Sequence, residues 1–202
     1  GQTLVSVVEG RARPRQVVES CGGMVDLLAG GSGIAHMAEL SGPEFEHLAL
    51  GLEELESEYR WTIVDSAAGV SSQTLAFAVA ADLVLLVTTP DLTAMTDAYA
   101  LLKVLYARNP EAQMLLVVNR CEDEEEAVNV ERRIADVCER FLGRVPRFVG
   151  WIPSDPVVAR AVNHRCSVVS EEPNCRAARA FRILAVRLLE ELNNCHAQGL
   201  GR

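Results

Sequence analysis

Asp65 ends a short apolar run in the stretch Ile63-Val64-Asp65-Ser66-Ala67-Ala68-Gly69, the part of the chain best equipped for chemistry. A carboxylate at the tip of a buried strand reaches Mg²⁺, usually through water, and the small residues after it let backbone approach the terminal phosphate of a nucleotide. The same pattern arises when an aspartate caps a helix, here one starting near Ser71, or merely closes a strand. Asn119-Arg120 end a second apolar run. The asparagine amide offers both a donor and an acceptor, which matches one edge of adenine or guanine, although asparagine also ends strands with no ligand nearby. Pro153-Ser154-Asp155 follow a third run, where Pro153 fixes a turn, Asp155 can cap, and Pro156 begins a helix.

A fourth candidate is Gly30-Gly31-Ser32-Gly33, glycine-rich and directly after an apolar run. A phosphate-cradling loop of the G-x-x-x-x-G-K-[ST] kind needs a lysine to neutralise the β/γ oxygens and a hydroxyl for Mg²⁺. Among nineteen basic residues Lys103 is the only lysine, and it lies inside a helical pattern with Tyr99, Leu102 and Leu105. No segment of these residues is therefore such a loop, and the glycines read as a turn. The six cysteines at 21, 121, 138, 166, 175 and 195 form no C-x-x-C pair and have no histidine at ligand spacing. A zinc or disulfide framework is not expected, and a reduced, cytosolic compartment fits better.

The elements that position these residues follow from periodicity. Apolar, β-branched runs bounded by turn residues predict buried strands at Met24–Leu28, Thr62–Val64, Leu83–Thr88 and Met114–Asn119, with a weaker one at Phe148–Ile152. Helical spacing begins at Pro43 and carries Phe45, Leu48, Leu52, Leu55 and Tyr59. Further helices are predicted over Thr93–Ala107, with Asp91 or Thr93 as cap, and over Glu124–Phe141, Pro156–Asn163 and Cys175–Leu192. Alternating strands and helices give an α/β fold of three layers, a mostly parallel sheet covered on both faces. No repeat or linker divides the chain, so residues 1–202 are expected to form a single domain. In such sheets ligands gather beyond the carboxyl ends of the strands, where the candidate residues fall.

The formal net charge of −9 opposes direct binding of nucleic acid or anionic lipid, because like charges repel and no counterion is released. The five acids within Cys121–Ala127 read as a solvated loop and helix start. The longest uninterrupted apolar stretches, such as Leu83–Val87, fall far short of the roughly 18 residues a membrane span needs. No signal peptide is visible.

Taken together, TLVSVVEG, LLAGGSGIAHMAELS, IVDSAAGVSSQTLAFAVAADLVLLVTTPDLTAMTDAYALLKVL, LLVVNR, FVGWIPSDPVVARAV and AARAFRILAVRLLEEL resemble, in order and over nearly the whole chain, the MinD/ParA family of deviant-Walker ATPases. The likeness is greatest to its flagellar-number branch, called FlhG or FleN. It implies that Asp65 is the Walker B aspartate, reaching Mg²⁺ through water, with Gly69 in the switch loop beside the γ-phosphate. It further implies that Asn119, with Arg120 adjacent, reads the base, and that Pro153, Ser154 and Asp155 cover the other side of the adenine. ATP and Mg²⁺ are the implied cofactors. The implied activity is slow ATP hydrolysis in a nucleotide switch that sets flagellar number or placement, working as an ATP-dependent homodimer in the cytoplasm. Peripheral contact at the inner face of the membrane is implied as well, but the tail Asn193–Arg202 is too polar and short for the family's membrane-targeting helix. An FlhF-like GTPase, the flagellar switch proteins or a transcriptional regulator are the implied partners. Two departures stand out. The family's opening unit, with its lysine-bearing loop, is expected ahead of Gly1, and without it the chain is expected to be unstable and inactive; and Asp91 stands where the family more often has Glu. The alternatives are a catalytically inactive binding module and a division-site or chromosome-positioning protein, the last opposed by the acidic charge.

Overall fold

The computed structural model describes residues 3–30, 41–56 and 58–197. The chain divides into two compact units, Gly1–Ala67 with Ser71–Phe77, and Ala68–Val70 with Ala78–Arg202.

In the first unit, helices α1 (Leu4–Val8) and α2 (Pro14–Val17) lead into a hairpin of β1 (Val18–Ser20) and β2 (Asp26–Leu28), followed by α3 (Gly42–Glu56) and the start of α4 (Ser72–Ala80). Pro14 sits at the first position of α2, where a missing N–H costs nothing. At the head of α3 the Ser41 N–H and hydroxyl both donate to Glu44, half of a capping box. The core is small: Val8 and Leu48 are fully buried against Leu4, Val5, Leu52 and Phe77. Gly51 is what lets the short helices approach α3. A Cβ there would lie 2.6 Å from the Pro14 ring and 3.2 Å from Val7.

Two predicted strands are corrected here. Only Asp26–Leu28 of the run from Met24 is extended, and it pairs antiparallel with Val18–Ser20 instead of joining a parallel sheet. Gly22 and Gly23 both adopt positive φ, 87° and 65°, the backbone a tight hairpin turn demands, so Met24 and Val25 are consumed by the reversal and left exposed. Thr62–Val64 forms no strand among the described residues. A strand exists only alongside a hydrogen-bonding neighbour, and Ile63, 92% exposed, has none there. Of the Gly30–Gly33 turn, only Gly30 lies within the described residues.

The second unit carries the three-layer architecture. Strands β3 (Val84–Thr88), β4 (Met114–Cys121) and β5 (Arg147–Pro153) form a parallel sheet in that order, linked by α5 (Leu92–Arg108) and α6 (Glu124–Leu142). Helices α7 (Pro156–Asn163), α8 (Val168–Glu171) and α9 (Arg176–Ala197) follow. Side chains alternate across the pleat. Leu86, Leu116 and Val118 pack with Met95, Leu102 and Leu105 of α5 and with Val130, Ile134 and Cys138 of α6. Leu85, Leu115, Val117 and Val149 face the other way, onto Ala177 and Leu184 of α9. Central β4 is therefore apolar on both faces, which is why its sequence shows an unbroken run. The five-acid run is a helix start as predicted: Asp123 accepts the Glu126 N–H at 2.8 Å, and three glutamates occupy the first turn of α6 at the positive end of its dipole. No helix among the described residues is long and apolar enough to cross a membrane.

Candidate functional site at the carboxyl ends of β4 and β5

Asn119 and Arg120 sit where β4 leaves the sheet. The ladder with β5 slips by one residue between Asn119, opposite Ile152, and Cys121, opposite Pro153. The extra residue is Arg120, exposed and with φ of 62°, a left-handed conformation that costs a non-glycine residue on the order of 1–2 kcal/mol. The Asn119 side-chain oxygen accepts the Arg120 N–H at 2.9 Å, which supports the bulge. Cys121 returns to the ladder and is fully buried, and burial pushes its thiol up to about 11. Its carbonyl accepts the Ser154 N–H at 2.7 Å, closing the two strand ends onto each other.

Pro153 is buried at the last position of β5, Ser154 is exposed, and Asp155 is half-buried. One Asp155 oxygen accepts the Val157 N–H at 3.0 Å and caps α7; the other accepts the Ala177 N–H at 3.2 Å, in the first turn of α9. Those backbone bonds, first to Val157 and then to Ala177, hold the carboxyl below its ordinary range, with Arg176 adding a smaller pull. Arg176 also donates to the Glu122 carbonyl at 3.2 Å, so the β4 exit is tied to α9 as well. Asn119, Arg120, Pro153, Ser154 and Asp155 thus converge on one edge of the sheet. Asp155 serves there as a structural acceptor, and the Ser154 hydroxyl, the Arg120 side chain and the Asn119 side-chain NH2, with the second lone pair of the Asn119 oxygen, have no hydrogen-bond partner among the described residues of this edge.

Asp65 and Gly69 are placed differently. Asp65 is exposed in irregular backbone of the first unit, and Gly69, with φ of 97° and open space around it, falls in the second. The cap of α4 is Ser71, whose hydroxyl accepts the Thr74 N–H at 3.1 Å. Asp65 therefore neither caps that helix nor ends a strand, and its carboxylate is spent on neither of the two structural roles open to it. Lys103 is exposed on α5, eleven residues past the helix start, or about 16 Å along the axis at 1.5 Å per residue. The cleft where β3 and β4 give way to helices is lined by Pro90, Asp123, Glu125, Glu126, Asn129 and Arg133. With three carboxylates against one guanidinium, it repels a polyphosphate.

The family model described as cellulose biosynthesis protein BcsQ matches residues 16–189. The antiactivator FleN of Pseudomonas aeruginosa is 31% identical over 187 residues, 93% of this chain and 67% of that protein. The flagellum site-determining protein YlxH of Helicobacter pylori is 26% identical over 95% of this chain and 65% of its own length. The chain thus spans about two thirds of the length of these relatives. In three dimensions it is similar to the septum site-determining protein MinD of Pyrococcus horikoshii, solved with Mg-ADP, with a TM-score of 0.68 and 22% identity over 92% of this chain and 72% of that one. On the span of the family model and the identity to FleN, carried by an α/β sheet whose strand ends hold the predicted asparagine and proline turn, this chain belongs to the MinD/ParA family, within the group that the BcsQ model describes.

Proposed function

We propose that the chain is the larger part of an FlhG-like MinD/ParA ATPase, a nucleotide-dependent switch that sets the number or position of flagella. The observation that carries this reading is the convergence of Asn119 with Pro153 and Ser154 at adjacent parallel strand ends, in a chain 31% identical to FleN. In this reading Asn119 recognises the adenine edge through its paired donor and acceptor, and Pro153 and Ser154 wall the base from the far side. Asp65 holds Mg²⁺ through water, and Gly69 gives backbone close approach to the terminal phosphate. Magnesium chemistry would come down to neutralising charge on the β- and γ-phosphates. The triphosphate also needs a lysine, which Lys103 cannot supply from its place on α5, so the reading requires that cation from outside these 202 residues. By the same reasoning the 202-residue chain alone does not turn over ATP.

The homodimer follows from the family resemblance, as do a cytoplasmic location and partners among flagellar proteins. The experiment is ATP and Mg²⁺ titration of the complete gene product, following turnover and solution mass together. Asp65→Ala is expected to abolish Mg²⁺-dependent hydrolysis with the fold retained. Asn119→Ala is expected to weaken ATP binding and erase preference over GTP. Unchanged kinetics in both variants would remove the assignment.

A further inference from the structure

The turn between α7 and α8 brings together three side chains that no part of the nucleotide reading uses. His164 caps the carboxyl end of α7, and Arg165 follows in the left-handed region with φ of 57°. Cys166 then folds back, its N–H on the Ala161 carbonyl at 3.0 Å and its thiol against the same carbonyl at 3.3 Å. The short helix α8, entered through Ser167, delivers Glu171 one turn later. His164 Nδ1 lies 3.2 Å from one Glu171 oxygen, and the Cys166 thiol donates to the other at 2.7 Å. Imidazole nitrogen, thiol sulfur and carboxylate oxygen lie within 4.8 Å of one another, all solvent-exposed.

We propose that His164, Cys166 and Glu171 bind one Zn²⁺ ion, with water in the fourth position. A tetrahedral zinc site with bonds of 2.0 to 2.3 Å sets its ligand atoms roughly 3.5 Å apart, so the three donors need only side-chain rotation to close on the ion. The set is selective by type. A thiolate and an imidazole suit zinc, whereas Mg²⁺ prefers oxygen alone and an octahedral shell. The backbone bond from the Cys166 N–H to the Ala161 carbonyl holds the turn that presents the sulfur to His164 and Glu171. Histidine and cysteine two residues apart do not fit the spacing of zinc-finger pairs, which is why the sequence alone passes over them. The left-handed residue between them and the return of α8 create the convergence. Bound zinc would staple the carboxyl end of α7 to α8 and leave one coordination position open to an exchangeable ligand.

The test uses the full chain, stripped with a chelator and kept reduced. Co²⁺, a spectroscopic stand-in for Zn²⁺, is expected to give a thiolate charge-transfer band that saturates at one ion per chain and is displaced by Zn²⁺. Cys166→Ser is expected to abolish the band, and His164→Ala and Glu171→Gln to weaken Zn²⁺ binding about tenfold or more. Cys21→Ser and Cys175→Ser are expected to leave both unchanged. Zn²⁺ should also raise the thermal midpoint of the parent chain and not of Cys166→Ser. Because all three ligands are exposed, circular dichroism of each variant should match the parent. Absence of a stoichiometric band, its survival in Cys166→Ser, or equal loss in Cys21→Ser would each overturn the site.

Discussion

At the scale of single residues, Asp155 shows how far local reading extends. Aspartate directly before proline at a helix start announces a cap, because both the acceptor and the fixed φ are local preferences, and the bond to Val157 is there. The bond to Ala177, twenty-two residues on, is set by tertiary packing and leaves no local mark. Removing the side chain in Asp155→Ala is expected to cost about 1–2 kcal/mol, the upper range for a cap, since two helix starts lose an acceptor. The carboxyl is held below its ordinary range, so its contribution is present above the unfolded value near about pH 4 and is lost as pH falls through the folded one. The stability gap between the parent and Asp155→Asn, followed by denaturant unfolding, should therefore narrow in acid; a gap that stays constant from neutral pH to below about pH 4 would contradict this role. Arg120 is the opposite case. Nothing in its residue type marks a left-handed bulge, and only the slip against β5 exposes it.

At the scale of elements, the longer helices were legible because their apolar stripes recur every three or four residues, and α7 appears with the predicted ends, Pro156–Asn163, whereas α1, α2 and α8, of four or five residues, are too short to show a stripe and were not predicted. Strands β3, β4 and β5 were legible for a different reason: burial on both faces demands unbroken apolar runs. The first predicted strand is shortened to Asp26–Leu28 and paired antiparallel, and the second does not form, because pairing is not local. Ile63 and Val64 have strand-forming side chains, yet no described neighbour supplies hydrogen bonds, and the Gly22-Gly23 pair redirects the chain near Met24 into a hairpin. Gly51 gives a prediction that runs against helix propensity. Alanine usually stabilises a helix interior by about 1 kcal/mol over glycine, but here its methyl would meet the Pro14 ring at 2.6 Å. Gly51→Ala should therefore destabilise by about 1–3 kcal/mol in thermal or denaturant unfolding, the usual result of overpacking. A stabilised variant would show that α2 moves aside at little cost.

At the scale of the whole molecule, the three-layer α/β organisation was readable from the order of runs and turns, and the residues of the candidate site split accordingly. Asn119, Arg120 and Pro153 to Asp155 gather because two parallel neighbours end together, a consequence of topology that spacing alone anticipates. Asp65 and Gly69 fall in separate compact units, and the chain positions from Thr62 to Val70 are all exposed. That segment is the expected point of first attack: limited digestion with a protease of broad specificity should cut within Thr62–Val70 before the long helices, because cleavage favours accessible, irregular backbone. Initial cleavage within α6 or α9, read by mass spectrometry, would contradict that ranking. The bond from one Asp155 oxygen to α7 and from the other to α9 has a mechanical corollary. A molecule that pushes on Ser154 cannot shift one helix start without loading the other, so the strand-end turn and the chain's last helix answer to the same tug.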